Sequence, residues 1–176
     1  IGSHLAEKLV EQKYKVIILD NLSNGNIKNI EKIKNKVNFV KCDISKIGNW
    51  SKLFKNVSLV FHLAALADIV PSIQNPKKYY DANVNGTLNI LEACKNGILL
   101  KLIYSASSSC YGIPKIYPTK ETEKINTKYP YALTKKIGED LVVHWSKLYK
   151  IPFISLRLFN VYGTRSRTSG TYGAMF

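Results

Sequence analysis

Short apolar strands alternate with helical segments along the chain, and this alternation constrains the fold more than any other feature. Apolar runs that suit buried strands occupy residues 14–20, 36–43, 57–65, 99–104 and 151–158. Helix-like apolar spacing occupies residues 2–10, 79–95 and 128–149. Without a repeat or a linker, this order predicts one α/β domain with a doubly wound parallel sheet. Ligands of such sheets gather beyond the carboxyl ends of the strands.

Polar or small residues stand where several predicted strands end. They are Asp20, Asp43, Ala64, Ala65 and Ser107. Carboxylates at such positions can accept hydrogen bonds from ribose hydroxyls, and small side chains let a ligand approach the backbone. Because these five positions fall on one edge of the predicted sheet, the sequence predicts a ligand groove there.

Gly2 and Asp20 have the spacing of a dinucleotide-binding turn, in which the acid follows the glycines by about 20 residues. The first two glycines of that motif would precede Ile1. An acid at Asp20 with no arginine near it would repel a 2′-phosphate, which favours NAD over NADP. The alternative is that residues 20–25 form an ordinary polar turn.

Tyr131 and Lys135 are four residues apart at the start of the predicted helix 128–149, so they share one helical face. A free tyrosine has a pKa near ~10, and a neighbouring cation favours the phenolate. We therefore expect Lys135 to lower the pKa of Tyr131 and make it a proton-transfer group. The alternative is a helix with one buried aromatic residue and a solvated lysine.

Ser107 follows a predicted strand and could donate a hydrogen bond to a substrate oxygen or to the Tyr131 oxygen. It lacks the Gly-x-Ser-x-Gly context of a nucleophile, and no histidine or acid in the sequence has a matching role. It could equally be an ordinary loop serine.

The formal net charge of +14 comes almost wholly from lysine, because three of the 26 basic residues are arginines and the other 23 are lysines. The lysines are dispersed rather than gathered in one stripe, which argues against a nucleic-acid partner and favours attraction of an anionic small molecule. Arg165 and Arg167 suit either a diphosphate or an ordinary charged loop.

Three widely spaced cysteines form neither a metal knuckle nor a disulfide framework, and the three histidines lack ligand spacing. We expect no metal and a reduced, cytoplasmic protein. No apolar run reaches membrane-spanning length, so no membrane partner is expected.

Together and in order, these motifs make the sequence resemble the extended short-chain dehydrogenase/reductase superfamily, and within it the NAD-dependent nucleotide-sugar epimerases. The resemblance also rests on Asn83-Val84-Asn85 and on Leu156 to Asn160. It implies a Rossmann-like NAD-binding domain over residues 1–176, incomplete at both ends, with the substrate-binding region starting near 159–176. Such a piece would bind NAD poorly by itself.

The resemblance also implies roles for individual residues. Tyr131 would be the base, Lys135 its pKa partner and a donor to the nicotinamide ribose, and Ser107 the substrate-orienting hydroxyl. Asn160 would reach the substrate phosphates. Residues Gly2, Asp20, Asn21, Asn24, Gly25, Asp43, Ile44, Ala64, Ala65 and Asn83 would line the NAD groove.

The implied reaction inverts C4 of a UDP-sugar or similar nucleotide sugar through a transient 4-keto intermediate, with NAD regenerated in each cycle. Related dehydratases and decarboxylases carry an acid after the position of Ser107, where this chain has Ser108 and Ser109. A dehydratase, a decarboxylase, a 4-keto reductase or a silent NAD-binding regulatory domain remain alternatives. Relatives commonly pair as homodimers through two helices, here 79–95 and 128–149, although these could pack on the sheet instead.

Overall fold

The computed structural model describes residues 1–95 and 97–166. Five strands lie in the order β1 (Val16–Asp20), β2 (Val37–Lys41), β3 (Leu59–His62), β4 (Lys101–Ser107) and β5 (Phe153–Leu158). The α-helices are α1 (Gly2–Glu11), α2 (Ile69–Gln74), α3 (Pro76–Tyr80), α4 (Gly86–Cys94) and α5 (Pro130–Tyr149). Arg167 and the rest of the expected substrate-binding start beyond residue 166 lie outside the described residues.

The strands form two parallel sheets, which confirms the predicted α/β class with parallel strands. In one sheet β1 pairs with β2, with Val16 opposite Val37. In the other, β4 lies between β3 and β5, with Leu102 opposite both Val60 and Phe153. Parallel pairing places all carboxyl ends of a sheet on the same edge.

Two strand boundaries differ from the prediction in a way that shapes this edge. β3 ends at His62, so Leu63, Ala64 and Ala65 leave the sheet as irregular chain. β4 continues to Ser107, three residues beyond the predicted end, because its register with β5 continues to Leu158. Ser107 therefore lies at the last paired position of a central strand.

Two 3₁₀ helices that the sequence pattern did not predict connect the early strands. The first, Ile27–Lys36, buries Ile30 and Ile33, whose spacing of three residues matches one face of a 3₁₀ helix. The second, Asn49–Asn56, buries Trp50 and Phe54 against the main core. Each helix buries only two apolar side chains, too few for a helical period to be recognised in the sequence.

The predicted helix 79–95 starts earlier and is interrupted. It begins with Pro76 at the first turn of α3, where the missing N–H costs nothing. A π-helical turn, Asp81–Asn85, then leads into α4. Such turns insert a residue into a helix and often occur at functional sites.

The main core lies between β4 and the helices α4 and α5. Leu91, Leu102, Tyr104 and Val142 are completely buried there. Gly138 lets α5 approach β4, because a Cβ at that position would overlap the Tyr104 hydroxyl. No helix in the described part of the chain is both long and apolar enough to cross a bilayer.

Candidate functional site

A cavity of about 970 Å³ opens at the carboxyl ends of the strands. Nine residues of the predicted groove line it: Gly2, Asp20, Asn21, Asn24, Gly25, Asp43, Ile44, Ala64 and Ala65. The wall continues to Ser105 on β4 and, on the other side, to Gln74, Lys77 and Lys78. A cavity of this size can hold a large organic ligand.

The turn after β1 wraps around the Asp20 carboxylate. The Leu22 N–H donates to Asp20 Oδ1 at 2.7 Å, with Leu22 in the left-handed backbone region at φ 60°. Gly25 closes the turn, since a Cβ there would lie 2.8 Å from Asp20 Oδ2. The polar-turn interpretation and the ribose-binding interpretation of residues 20–25 therefore describe the same structure, a turn built around an acid on the cavity wall.

Asp43 and Ile44 are fixed on the neighbouring part of the wall. Asp43 Oδ1 accepts hydrogen bonds from the Ser45 N–H at 3.0 Å and the Ser45 hydroxyl at 2.8 Å. The Asn89 side chain donates to the Ile44 carbonyl at 2.8 Å, and Ile44 packs against Gly86. These contacts tie the cavity wall after β2 to α4.

Asn83 lies in the π-helical turn and is almost fully buried instead of lining the cavity. Its side chain accepts from the Leu66 N–H at 2.8 Å and donates to the Leu66 carbonyl at 3.0 Å. It also donates to Thr134 Oγ1 at 3.0 Å. Asn83 thus fixes the irregular chain after β3 to α5, and its effect on the groove is indirect.

Ser107 and Tyr131 are neighbours at the edge of the sheet. The hydrogen-bonding influence of the Ser107 hydroxyl lowers the pKa of the Tyr131 phenol, but burial has the larger effect and raises this pKa. The Ser109 N–H donates to Ser107 Oγ at 3.2 Å and orients the hydroxyl. Tyr131 also stacks edge-on against Tyr79 of α3, with the ring centroids 6.5 Å apart.

Lys135 follows one helical turn after Tyr131 and is buried, so it is not the solvated lysine of the alternative interpretation. Its ammonium lies over the Tyr104 ring, 4.5 Å from the centroid. Burial lowers the pKa of Lys135 to about 7, and the charge of Glu139 offsets only part of this effect.

The expectation that Lys135 lowers the pKa of Tyr131 is wrong for this state of the protein. Burial disfavours the charged form of both side chains, so the pKa of the Tyr131 phenol rises and the pKa of the Lys135 ammonium falls. The charge of Asp68 adds to the rise at Tyr131. Proton transfer near neutral pH therefore needs additional stabilisation of the phenolate when the site is filled.

Two C-terminal residues singled out from the sequence, Asn160 and Arg165, follow β5. Asn160 is exposed just after β5. Arg165 binds Glu7 with both contacts at 2.9 Å and donates to the Asn29 carbonyl, while Thr164 contacts His4 at 2.9 Å. We call these contacts of Thr164 and Arg165 with α1 the α1 clasp. The guanidinium of Arg165 is bound by a carboxylate of this chain, as in the charged-loop alternative.

Two residues next to Tyr131 and Lys135 were not predicted from the sequence. Tyr104 lies under Lys135, and the alternation of buried positions along β4 would have indicated an inward-facing side chain. Asp68 has a φ of 135°, which a non-glycine residue rarely adopts, and no sequence signal revealed it. Within the described residues, no group of three histidine, cysteine or acidic side chains could hold a metal.

Comparison with known proteins fits this geometry. The family described as "NAD dependent epimerase/dehydratase family" matches residues 1–176. A Methanocaldococcus jannaschii protein with a provisional UDP-glucose 4-epimerase name is 40% identical over 99% of this chain and 57% of its own length.

Solved structures agree. The UDP-N-acetylglucosamine 4-epimerase from Methanobrevibacter ruminantium M1, in complex with UDP-N-acetylmuramic acid, superposes with a TM-score of 0.93 at 34% identity, over 99% of this chain and 56% of that one. The UDP-glucose 4-epimerase of Thermus thermophilus, in complex with NAD, gives 0.87 at 31% identity, over 98% and 56%. The chain spans about half the length of these relatives. By its sequence and its fold, the chain belongs to the NAD dependent epimerase/dehydratase family.

Proposed function

We propose that the full-length protein interconverts the C4 epimers of a UDP-sugar, with NAD as a retained cofactor. The observation that carries this proposal is the proximity of Ser107 and Tyr131, with Lys135 one helical turn after Tyr131. Ser107 ends β4, the strand whose Ser105 belongs to the wall of the cavity that also contains nine predicted groove residues. The relatives named as UDP-sugar 4-epimerases support the reaction and the nucleotide.

The cavity residues fit a dinucleotide. Asp20 offers a carboxylate at the end of β1 for ribose hydroxyls, and Ala64 and Ala65 leave the backbone accessible. Gly2 opens α1 on the same wall, where helix N–H groups favour a phosphate. NAD, when bound, would accept a hydride from the sugar C4 and return it to the opposite face.

The residues of this chain would manage the proton and the orientation. Tyr131 would take the proton of the C4 hydroxyl and later return it, and Ser107 would hold the same oxygen by a hydrogen bond. Lys135 would stabilise the phenolate and bind the cofactor ribose. The region from residue 159 onward, including Asn160, would begin the substrate-binding part and contact the UDP phosphates.

Elimination of water is the second candidate reaction in this family. It needs a group that removes a proton next to the ketone, and Ser108 and Ser109 offer no carboxylate at that place. This absence of an acid after Ser107 favours epimerisation.

The test is product analysis with the full-length protein and a panel of UDP-glucose, UDP-N-acetylglucosamine and UDP-arabinose. Proton NMR of the sugar ring should show the C4 epimer and no accumulated 4-keto or dehydrated sugar. Tyr131→Phe should reduce kcat by about 10²- to 10⁴-fold, the usual contribution of a positioned acid–base group. A stable 4-keto product, or unchanged turnover in Tyr131→Phe, would contradict the proposal.

A homodimer formed through α3, α4 and α5 is the proposed assembly. An open groove of about 800 Å³ lies between Tyr80 of α3 and Leu133 of α5, and both of these large side chains are roughly half exposed. Leu133→Lys should shift the full-length protein from dimer to monomer in light scattering, because it places a charge in an apolar contact.

The free thiols at Cys42, Cys94 and Cys110 support a reducing compartment such as the cytoplasm.

A further inference from the structure

The ring of Tyr104 lies beneath the Lys135 ammonium inside the core. Tyr104 is completely buried on β4, and the Lys135 Nζ atom is 4.5 Å from its ring centroid. At this distance the negative face of the ring attracts the cation, most strongly where water is excluded. The ring therefore compensates part of the cost of burying a charged ammonium.

The hydroxyl of Tyr104 fixes the ring in place. It donates to the Lys135 carbonyl at 3.3 Å. Gly138 provides the space that this hydroxyl occupies against α5. The ring is thus held against α5, and it cannot move away from the ammonium without breaking these contacts.

The other ionisable groups facing Lys135 leave part of the cost of its burial uncompensated. Glu139 on the same helix binds Arg157 at 3.0 Å and accepts a hydrogen bond from Ser155 at 2.7 Å. His62 of β3 is buried with Nε2 2.9 Å from Thr87 Oγ1, and burial lowers its pKa to about 3, so it stays neutral. Tyr131 stands one helical turn earlier, and its phenol supplies a negative charge only after it has lost its proton.

From this arrangement we propose that Tyr104 is a positioning residue of the reaction, whose ring supports the protonated form of Lys135. The inference rests on the proposed function, because the protonated lysine matters only if it stabilises the Tyr131 phenolate and binds the cofactor ribose. Without the ring, Lys135 would lose its proton at a lower pH. The enzyme would then lose activity earlier as the pH rises.

The test varies the electrons of the ring and keeps its shape. Tyr104 is replaced by phenylalanine and, in a second protein, by 3,4,5-trifluorophenylalanine, both in the full-length chain. The pKa of Lys135 is measured by NMR titration of ¹³Cε-labelled lysine, with the signal assigned from Lys135→Met. Fluorination should lower this pKa by about one relative to Tyr104→Phe, because a cation–π contact of about 1–2 kcal/mol corresponds to such a shift.

The control is Tyr149, whose ring lies under Lys95 at 4.7 Å near the end of α5. The same pair of substitutions at residue 149 should leave the pKa of Lys135 unchanged. In the active enzyme, fluorination at residue 104 should shift the alkaline limb of the pH profile of kcat to lower pH by the same amount, with little change in KM. A purely structural role would alter thermal stability but not this limb.

Equal Lys135 titrations in the phenylalanine and trifluorophenylalanine proteins would overturn the proposal. The NMR titration needs no turnover, so the support that Tyr104 gives to Lys135 can be decided even if the full-length protein epimerises none of the sugars. Absence of epimerisation would contradict the proposed function and would leave the proposed role of Tyr104 untouched.

Discussion

Folding buries Lys135, and no carboxylate of residues 1–95 or 97–166 forms an ion pair with its ammonium. The protonation of Lys135 is therefore part of the stability of the protein. Its pKa is about 7 in the fold, against an ordinary value of 10.5. Between these values the unfolded chain binds the additional proton, so the stability contribution of this lysine rises with pH from about 7 toward 10.

We therefore expect the difference in free energy of unfolding between wild type and Lys135→Met to increase by about 1.4 kcal/mol per pH unit in this window. Urea denaturation of the full-length, cofactor-free protein at pH 7, 8 and 9 measures this difference. Lys147→Met, on an exposed position of α5, is the matched control. A constant wild-type to Lys135→Met difference across the three pH values would show that Lys135 keeps its proton when buried.

Asp20 provides the test of cofactor choice. In the proposed complex its carboxylate binds ribose hydroxyls and repels a 2′-phosphate. Asp20→Asn should weaken NAD binding about 10- to 100-fold, the range for hydrogen bonds to a charged group, and weaken NADP binding less. Calorimetric titration of the full-length protein, stripped of cofactor, compares both ligands.

Asp140→Asn on the exposed face of α5 serves as the control for Asp20→Asn. If Asp20→Asn leaves the ratio of the two affinities unchanged, Asp20 does not select the cofactor.

The spacing of Tyr131 and Lys135 was enough to predict that they share a helical face, because four residues complete about one turn. The pKa directions were not predictable in the same way. They depend on burial by residues such as Tyr104, which stands 31 positions before Lys135 in sequence and contacts it only through the packing of α5 on β4. Asn83 shows the same limit, since its partners Leu66 and Thr134 lie on two other segments.

At the scale of elements, the contact between α5 and β4 depends on Gly138. Gly138→Ala places a methyl group against the Tyr104 hydroxyl and should cost about 1–3 kcal/mol of stability, the usual range for overpacking. Removing that hydroxyl in Gly138→Ala/Tyr104→Phe should recover a large part of the loss. A double-mutant cycle by urea denaturation measures the coupling.

Gly86→Ala is the comparison for this cycle, because its new methyl group would meet the flexible Ile44 side chain at 3.2 Å. It should cost less than Gly138→Ala and show no coupling to Tyr104→Phe. Additive effects of Gly138→Ala and Tyr104→Phe would disprove the close contact.

Element types were predictable where the apolar period was long and regular. All five strands and the helices α1 and α5 were predicted from such patterns, and their boundaries moved by a few residues. The 3₁₀ helices and the π-helical turn were not, because each is set by tertiary contacts, such as Trp50 and Phe54 against the core and Asn83 against Leu66. Short elements carry too few residues for their period to be recognised.

At the scale of the whole molecule, the α1 clasp joins the segment after β5 to the first helix. Glu7→Gln removes the charge that Arg165 binds, so we expect trypsin to cleave after Arg165 faster than in wild type, by severalfold. Timed digestion with mass spectrometry of the fragments measures the rate.

Glu11→Gln breaks an exposed ion pair with Lys8 on the same helix and is the matched control for Glu7→Gln. It should leave cleavage after Arg165 at the wild-type rate. Equal rates in Glu7→Gln and Glu11→Gln would mean that the ion pair does not hold the segment in solution.

The clasp also bears on how the protein reaches its folded state. Arg165 and Glu7 are separated by 158 positions in sequence, and bringing such distant segments together carries a large entropic cost. Contacts of this kind form after the local and sheet contacts that bring them near one another. Weakening the clasp would therefore speed the escape from the native state and leave the refolding rate nearly unchanged.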